Sequence, residues 1–183
     1  MSDDYNSNFH KHLQINNEEA MIALGAKLAR WVSLGAIIYL DGDLGAGKTT
    51  LVRGFLRALA HHGAVKSPTF TIVEPYFIDN RIFYNYNKLD ANAKIEDDKK
   101  SLTKAIKIYH FDLYRLEDPE ELEYLGIRDY LDGQAISLIE WPEKGYGVLS
   151  AADLQINIQH QRQGRQLEII AYSDNGVAIL SHL

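Results

Sequence analysis

The chain has 183 residues, 46% of them hydrophobic, which predicts one domain with an ordinary core. It contains no cysteine, and this excludes disulfides, thiolate metal sites and cysteine nucleophiles. The net charge of -6 argues against tight, unaided binding to RNA or DNA, because proteins that grip nucleic acid phosphates usually present a basic face. No signal peptide is visible, and the longest apolar stretch, residues 35–40, is too short to span a bilayer. A cytoplasmic protein with no membrane attachment is expected.

The first part of the chain predicts strands and helices in alternation. Residues 12–15 predict a short edge strand, and Asn16 or Asn17 is expected to cap a helix that runs to about Trp31. The apolar run at 36–40 is typical of a buried parallel strand, and a glycine-rich turn follows it. A strand, a glycine loop and a helix are therefore expected in that order.

The helix after the glycine loop is expected to begin at Lys48 and to end at Gly63, in left-handed backbone. Asp118 is expected to cap a later helix, with Pro119 as its first residue. Further strands are expected at 71–77, 106–111, 136–140, 154–159 and 166–171. The last two read as an antiparallel hairpin. This alternation predicts an α/β sandwich in three layers with a largely parallel central sheet.

The segment Gly42-Asp43-Leu44-Gly45-Ala46-Gly47-Lys48-Thr49 matches the phosphate-loop pattern G-x-x-x-x-G-K-[ST]. Its glycines let several backbone N–H groups converge on one anion, and the following helix adds the positive end of its dipole. In this pattern Lys48 reaches the β- and γ-phosphates, Thr49 offers a hydroxyl to Mg²⁺, and Thr50 is placed near the α-phosphate. The loop therefore predicts binding of a nucleotide triphosphate with magnesium.

Two acidic residues at predicted strand ends are candidates for holding the metal and the attacking water. Glu140 ends the strand at 136–140, and Asp112 follows the strand at 106–111. Both are expected at the carboxyl edge of the sheet, beside the phosphate loop. One would hold magnesium and the other would orient water. The alternative for each is a helix cap or a surface charge.

Four further residues near these segments have two readings or none that commits them to the site. Thr69 is either a switch threonine that senses the γ-phosphate through magnesium or part of a proline turn that enters a strand. Arg115 is a candidate contact to phosphate or to a partner, and Trp141 packs either on the nucleotide or on the core. His110 has no spacing typical of a metal ligand, so it reads as structural or exposed.

One apparent motif is discounted. Asn87-Lys88-Leu89-Asp90 matches N-K-x-D, the guanine-reading motif of GTPases. In GTPases that motif follows the metal-binding strand and its D-x-x-G element, whereas here it precedes both acidic candidates and no D-x-x-G occurs. A GTPase is therefore not expected.

Taken together, the motifs resemble the TsaE (YjeE) family, the small bacterial P-loop ATPases of tRNA threonylcarbamoyladenosine biosynthesis. The specific parts of the resemblance are the H-x-D-x-Y-R and E-W-P-E segments, because the phosphate loop alone is common to P-loop proteins. The resemblance covers about residues 10–172. After the phosphate loop, the matching segments are Ser67-Pro68-Thr69-Phe70, His110-Phe111-Asp112-Leu113-Tyr114-Arg115-Leu116, Glu121-Leu122-Glu123-Tyr124-Leu125-Gly126 and Ile139-Glu140-Trp141-Pro142-Glu143.

The resemblance implies a P-loop NTPase sandwich that binds ATP and Mg²⁺, hydrolyses ATP slowly, and acts with TsaD- and TsaB-type partners. In that family the TsaD-type subunit modifies the adenosine next to the anticodon, so contact with tRNA is expected to be indirect. The family pattern implies that Lys48, Thr69 and Asp112 are catalytic and that Thr49 and Glu140 hold the metal. The implied nucleotide-binding residues are Asp43, Leu44, Gly45, Ala46, Gly47, Lys48, Thr49, Thr50 and Trp141.

The chain departs from the family pattern between Tyr76 and His110, where family members usually have a short hairpin. We expect a single domain over 1–183 with a polar surface insertion at about 78–105, which is a candidate modifier of partner docking. Two other functions compete with an ATPase subunit: a P-loop small-molecule kinase, and a nucleotide-gated binding module without turnover. The chain has few arginines and none cluster in a lid-like segment, which argues against the kinase.

Overall fold

The computed structural model of the protein describes residues 9–87 and 105–183. The strands of these ranges are β1 (His10–Ile15), β2 (Ile37–Asp41), β3 (Val73–Ile78), β4 (Ile106–Asp112), β5 (Ile136–Glu140), β6 (Leu154–His160) and β7 (Arg165–Ala171). The helices are α1 (Glu18–Trp31), α2 (Lys48–Ala58), α3 (Asn80–Tyr86), α4 (Glu121–Tyr124), α5 (Ile127–Tyr130) and α6 (Asp174–Leu180), and a 3₁₀ turn spans Pro142–Gly145. The strands form one sheet in the order β1-β7-β6-β2-β5-β4-β3.

The four central strands, β6, β2, β5 and β4, are parallel. Antiparallel strands extend the sheet at both edges, with β3 on β4 and β7 and β1 beyond β6. Side chains alternate between the two faces, so Ile108 joins the larger buried cluster, with α1 and α2, while Tyr109 joins a second cluster with α4 and α5. The expected α/β sandwich, with its parallel centre and C-terminal hairpin, is confirmed. Because both faces are covered, all five residues of β5 are buried.

Helices α1 and α2 cross in direct backbone contact. A Cβ atom on Gly25 would lie 2.1 Å from the carbonyl oxygen of Leu51, and one on Gly54 would lie 2.3 Å from that of Ile22. Side chains cannot occupy these positions without separating the helices. The two glycines therefore set how closely α1 packs on the helix that follows the phosphate loop.

The end of α2 differs from the expectation. The helix ends at Ala58, and Ala60, with a φ of 60°, takes the left-handed position that was expected for Gly63. The N–H of His61 donates to the carbonyl of Leu56 at 3.0 Å, which closes the helix end before Gly63 is reached. The prediction for Gly63 was wrong because hydrogen bonds one turn earlier had already satisfied the helix carbonyls.

Asp118 caps the turn before the helix and not the α-helix itself, which starts later than expected and has Glu120 as its N-cap. Asp118 Oδ1 accepts a hydrogen bond from the N–H of Glu120 at 2.9 Å, and Glu121 Oε1 accepts one from the N–H of Asp118 at 3.0 Å. These reciprocal bonds form a capping box. Pro119 lies in a tighter turn, in which its carbonyl accepts a hydrogen bond from the N–H of Leu122, three residues later. The α-helix α4 therefore begins only at Glu121.

The segment predicted as a surface insertion at 78–105 begins with core structure. Ile78 completes β3 and is buried, Asp79 caps α3, and the ring of Phe83 in α3 is fully buried. The polar composition of the segment concealed these apolar anchors. Residues 88–104 lie outside the described ranges, so a surface insertion there stays a prediction.

Asn87, the first residue of the N-K-x-D match, has a structural role. It is buried, and its side-chain amide donates to the carbonyls of Ala29, at 3.3 Å, and Val32 at the C-terminal end of α1. Those carbonyls lack partners within the helix, so the amide acts as a cap. The rest of the motif, 88–90, lies outside the described residues.

The C-terminal helix α6 was not predicted. Its cap is Ser173, whose hydroxyl accepts from the N–H of Gly176 at 3.0 Å. A Cβ atom on Gly176 would lie 1.9 Å from the carbonyl of Asp153, so the helix packs closely on the start of β6. No helix in the described part of the chain is both long enough and apolar enough to cross a membrane.

Candidate functional site

The loop between β2 and α2 has a backbone that its glycines make possible. Gly42, Gly45 and Gly47 all have positive φ, at 141°, 76° and 113°. A Cβ atom on Gly42 would lie 2.3 Å from the carbonyl oxygen of Ile158, so the start of the loop rests on β6. The loop curls at the carboxyl edge of the parallel strands and leads directly into the N-terminus of α2, an arrangement that favours an anion.

Lys48, the first residue of α2, is buried at this edge. Its ammonium Nζ donates to the carbonyls of Gly42 and, at 3.0 Å, Asp43, and it lies 4.0 Å from the centroid of the Trp141 ring. Burial lowers the pKa of Lys48 from its ordinary value, and the nearby carboxylate of Glu140 opposes this shift. The side chain is thus folded back on its own loop and covered by an aromatic face.

A hydroxyl and a carboxylate meet beside the lysine. Thr49 Oγ1 donates a hydrogen bond to Glu140 Oε1 at 2.8 Å, and His110 Nε2 lies 2.8 Å from the same oxygen. An ionised carboxylate only accepts hydrogen bonds, which places the imidazole proton on Nε2. Glu140 and His110 are 3% and 0% exposed, so these contacts are shielded from water. The alternative of a surface charge for Glu140 is excluded, and so is an exposed His110.

Asp112 ends β4 and holds a different pair of hydroxyls. Its Oδ2 accepts from Ser67 and, at 2.6 Å, from Thr69 Oγ1, while its Oδ1 accepts from the N–H of Tyr114 at 3.0 Å. The bond to Tyr114 resembles an N-cap and fixes the turn after β4. Ser67 was not among the candidate residues, and only its place in the segment with Thr69 hinted at it. The bonds to Asp112 hold the segment that contains Ser67 and Thr69 close to the phosphate loop.

Aromatic and basic side chains surround the opening of the cleft. The guanidinium of Arg115 lies 4.0 Å from the centroid of the Phe70 ring, and Phe70 is 81% exposed. Trp141 has a left-handed backbone, with a φ of 58°, and its ring lies 5.0 Å from that of Tyr114. Because the Lys48 ammonium lies 4.0 Å from its centroid, the Trp141 ring covers the loop at Lys48.

Most of these groups, though not His110 or Phe70, line a cleft of about 290 Å³. It brings together nearly every candidate residue; Asp43 is absent from the lining but contributes the carbonyl that holds Lys48. The cleft is lined by Leu44, Gly45, Ala46, Gly47, Lys48, Thr49, Thr50, Ser67, Thr69, Asp112, Tyr114, Arg115, Glu140 and Trp141. Threonine and carboxylate oxygens are the ligands that Mg²⁺ prefers, so the residues fit a magnesium ion that also binds phosphate.

A second cleft of about 290 Å³ adjoins the same loop. It shares Gly45, Ala46, Gly47 and Thr50 with the first cleft and extends toward the start of α1 and the turn between β6 and β7. Its other lining residues are Ile15, Asn16, Asn17, Glu18, Met21, Gly164 and Arg165. No local sequence signal connects these three segments, because the pairing of β1 with β7 and of β2 with β6 brings them together.

The sheet, the glycine loop and the helix behind it define a P-loop protein of the α/β class. A family model described as "Threonylcarbamoyl adenosine biosynthesis protein TsaE" matches residues 15–167. The chain belongs to the TsaE family.

Individual relatives agree with the family match. The tRNA threonylcarbamoyladenosine biosynthesis protein TsaE of Haemophilus influenzae is 43% identical over 172 residues, covering 91% of this chain and 93% of the relative. The protein of the same name in Bacillus subtilis is 34% identical over 143 residues, covering 78% and 73%. The crystal structure of Bacillus subtilis YdiB superposes with a TM-score of 0.68 at 25% identity, covering 94% of this chain and 92% of that one. The similarity therefore extends over most of the chain.

Proposed function

We propose that this protein binds ATP with Mg²⁺ at the phosphate loop and hydrolyses it in support of threonylcarbamoyladenosine modification of tRNA next to the anticodon. The observation that carries the proposal is the pair of carboxylates, Asp112 and Glu140, at neighbouring strand ends beside Lys48 and Thr49. The assignment to threonylcarbamoyladenosine biosynthesis rests on the names of the relatives. The paired carboxylates supply a reason for hydrolysis.

Lys48 and the loop amides are the phosphate-binding groups in this proposal. The Lys48 ammonium donates to two loop carbonyls, and ATP phosphate oxygens are stronger acceptors for the same protons. Because Lys48 is the first residue of α2, its ammonium stays beside the loop when phosphate oxygens replace the loop carbonyls as acceptors. The loop N–H groups and the N-terminus of α2 add positive charge that needs no reorganisation.

Thr49 and Glu140 are the metal-binding residues in this proposal. Magnesium at this position would neutralise charge on the phosphates as the bond to the leaving group breaks. His110 donates to Glu140 from the buried side, which fixes the carboxylate orientation without adding a metal ligand. The Thr49 hydroxyl would bind the cation through an oxygen lone pair, and its proton can still donate to Glu140.

Asp112 and Thr69 are the residues that orient water. The Asp112 carboxylate holds the Ser67 and Thr69 hydroxyls beside the phosphate loop, so movement of Thr69 toward phosphate would free an acceptor for water. This arrangement supports phosphoryl transfer to water. Catalysis then rests mainly on positioning and on charge stabilisation, as in other P-loop enzymes.

The second cleft is the place for the nucleoside. Thr50 lines both clefts, and the residue at this position is on the α-phosphate side of the loop. The first cleft contains the two carboxylates and the lysine, which belong with the γ-phosphate. The base and ribose would extend toward Asn16, Asn17 and Met21 at the start of α1.

TsaD- and TsaB-type proteins are the partners in this proposal, in the cytoplasm. Leu44 lines the phosphate cleft and Phe70 packs on Arg115, which also lines it; the two apolar side chains are 74% and 81% exposed, and together they are candidates for a docking surface. The net charge of -6 favours indirect contact with tRNA through those partners. The chemistry on tRNA would then take place on another subunit.

The test is magnesium-dependent ATP turnover by the purified protein, alone and with TsaD- and TsaB-type proteins. We expect phosphate release to water, faster with the partners present, and ATP-dependent co-purification with them. Phosphate transfer to an added small-molecule acceptor would instead identify a kinase. Tight ATP binding without turnover in either condition would identify a nucleotide-gated binding module and overturn the hydrolytic part of the proposal.

A further inference from the structure

Arg165, the first residue of β7, contacts the phosphate loop, although it belongs to neither the H-x-D-x-Y-R segment nor the E-W-P-E segment. Its Nε donates to the carbonyl of Ala46 at 2.9 Å, and its Nη2 donates to that of Gly45 at 3.3 Å. Nη1 donates to the carbonyl of Gly164 at 2.9 Å, within its own turn. One guanidinium therefore ties two consecutive loop carbonyls to the β6–β7 hairpin.

These carbonyls control where loop N–H groups point. In a trans peptide, the C=O and the following N–H point in opposite directions across one rigid plane. Holding the Gly45 and Ala46 carbonyls outward therefore turns the N–H groups of Ala46 and Gly47 away from Arg165. The Ala46 N–H does point to the other side, where it donates to the Asp43 carbonyl at 3.1 Å, the same oxygen that Lys48 contacts.

Arg165 is itself held by a tightly packed turn. Gly164 has a φ of 84°, and a Cβ atom there would lie 2.2 Å from the carbonyl oxygen of Ile15. In the β1–β7 register, Arg165 lies opposite Ile15. Close packing thus fixes the backbone from which the Arg165 side chain extends, and the Gly42 contact with β6 supports the other end of the loop.

We propose that Arg165 is a positioning residue that pre-organises the phosphate loop for binding of a polyphosphate. The inference rests on the proposed function, since it names the residue that shapes the ATP site. The planar fork of arginine reaches two carbonyls at once, whereas a lysine ammonium has no such fixed fork. Arg165 acts through the loop backbone and requires no contact with the base.

A residue of this kind has a distinct kinetic signature. The loop N–H groups hold the phosphates before and during the reaction, so disorder in the loop weakens ground-state and transition-state binding together. Replacing Arg165 should raise KM and lower kcat/KM by about tenfold, while kcat at saturating ATP changes much less. A general loss of folded protein would instead lower the apparent kcat with KM unchanged.

The experiment compares Arg165→Met, Arg165→Lys and the control Arg162→Met. Arg162 is an exposed arginine in the same turn, so its replacement removes the same charge without touching the loop. Calorimetry measures binding of ATP and of inorganic tripolyphosphate, both with Mg²⁺, and thermal unfolding measures the integrity of each variant. Tripolyphosphate is included because it has neither base nor ribose, so its affinity depends on the phosphate-binding groups only.

We expect Arg165→Met to weaken both ligands by about tenfold and Arg165→Lys by less, with Arg162→Met at wild-type affinity. Weakening of ATP alone would mean that Arg165 contacts the nucleoside, and it would overturn the positioning role. Unchanged affinity in Arg165→Met would overturn it as well. Failure of the wild-type protein to bind either ligand would refute the proposed function itself, and it is therefore distinguishable from failure of this inference.

Discussion

Asp112 lies directly opposite Glu140 in the register of two parallel strands, β4 and β5, and both residues end their strands. Each carboxylate has its own hydroxyl partners: Ser67 and Thr69 for Asp112, and Thr49 for Glu140. Neighbouring acids with separate partners are suited to separate roles. We therefore expect their substitutions to have different effects.

Glu140→Gln is expected to remove the magnesium dependence of ATP binding. The amide keeps the size of the side chain and can still accept from Thr49, but it lacks the negative charge that favours a divalent cation. Calorimetric titration of ATP with Mg²⁺ and with a chelator should give different affinities for the wild type and similar ones for the variant. Glu120→Gln, at an exposed acid, is the control. A wild-type magnesium effect in Glu140→Gln would contradict the metal-binding role.

Asp112→Asn is expected to lower ATP turnover by about 100-fold while ATP affinity changes little, because a general base or water-orienting group contributes to the chemical step. The asparagine can still hold the Ser67 and Thr69 hydroxyls, so the loop geometry should persist. Single-turnover hydrolysis measures the effect, with Asp129→Asn as an exposed control. Normal hydrolysis in Asp112→Asn together with its loss in Glu140→Ala would show that the hydrolytic role belongs to Glu140.

Trp141 fluorescence is expected to report ATP binding. The Lys48 ammonium lies 4.0 Å from the ring centroid, and its transfer to phosphate would change the charge over the indole. The other tryptophan, Trp31, stacks on His182 at 3.6 Å, so a Trp31→Phe background isolates the signal. Titration with Mg-ATP should change the emission, and adding Lys48→Met should abolish that change. Constant Trp141 emission at an ATP concentration that saturates the protein by calorimetry would refute the prediction.

Gly54→Ala is expected to reduce the free energy of unfolding by about 2 kcal/mol, since the added methyl meets backbone that cannot move locally. Its Cβ would lie 2.3 Å from the Ile22 carbonyl oxygen, which forces α1 and α2 apart. Urea denaturation measures the change. Gly63→Ala is the control, because its nearest neighbour is the His61 ring, a side chain that can turn away. Equal stability of the two variants would show that the helix contact tolerates a methyl group.

Tyr39→Phe is expected to make the protein less sensitive to alkali. Burial raises the pKa of Tyr39 from 10.0 to about 12, and its hydroxyl donates to the Ser150 carbonyl at 2.6 Å. A raised folded pKa stabilises the fold fully below pH 10, and that contribution is lost as pH rises to about 12. The free energy of unfolding, from urea titrations across this window, should fall less steeply in Tyr39→Phe. Tyr124→Phe, at a tyrosine that is 88% exposed, should match the wild type.

Local patterns predicted most of the elements that surround the site. The strand before the loop, the start of the next helix at Lys48 and the strand ending at Glu140 were all placed within a residue or two, because each is marked by its own hydrophobic periodicity and turn residues. The same method failed for α3, where polar residues surround the buried Phe83, and for α6, whose cap lies in a short C-terminal segment. The end of α2 was placed at Gly63 because residue type was read without the hydrogen bonds that close the helix earlier.

The candidate site divides in a similar way. Residue identity alone predicted the phosphate loop, Asp112 and Glu140, because the loop motif and the ends of the two strands can be recognised from neighbouring residues in the sequence. His110 and Ser67 could not be assigned roles, because a buried hydrogen bond depends on which faces of which strands meet.

The sequence by itself determined that a glycine loop joins a strand to a helix, and that acids follow two other strands. Tertiary structure decided that Asp112 and Glu140 lie in register, and that Arg165 reaches the loop from a distant hairpin. The physical reason is the distance along the chain over which each effect acts. Periodicity and turn chemistry act over a few residues, whereas register and packing depend on all the strands that the sheet brings together.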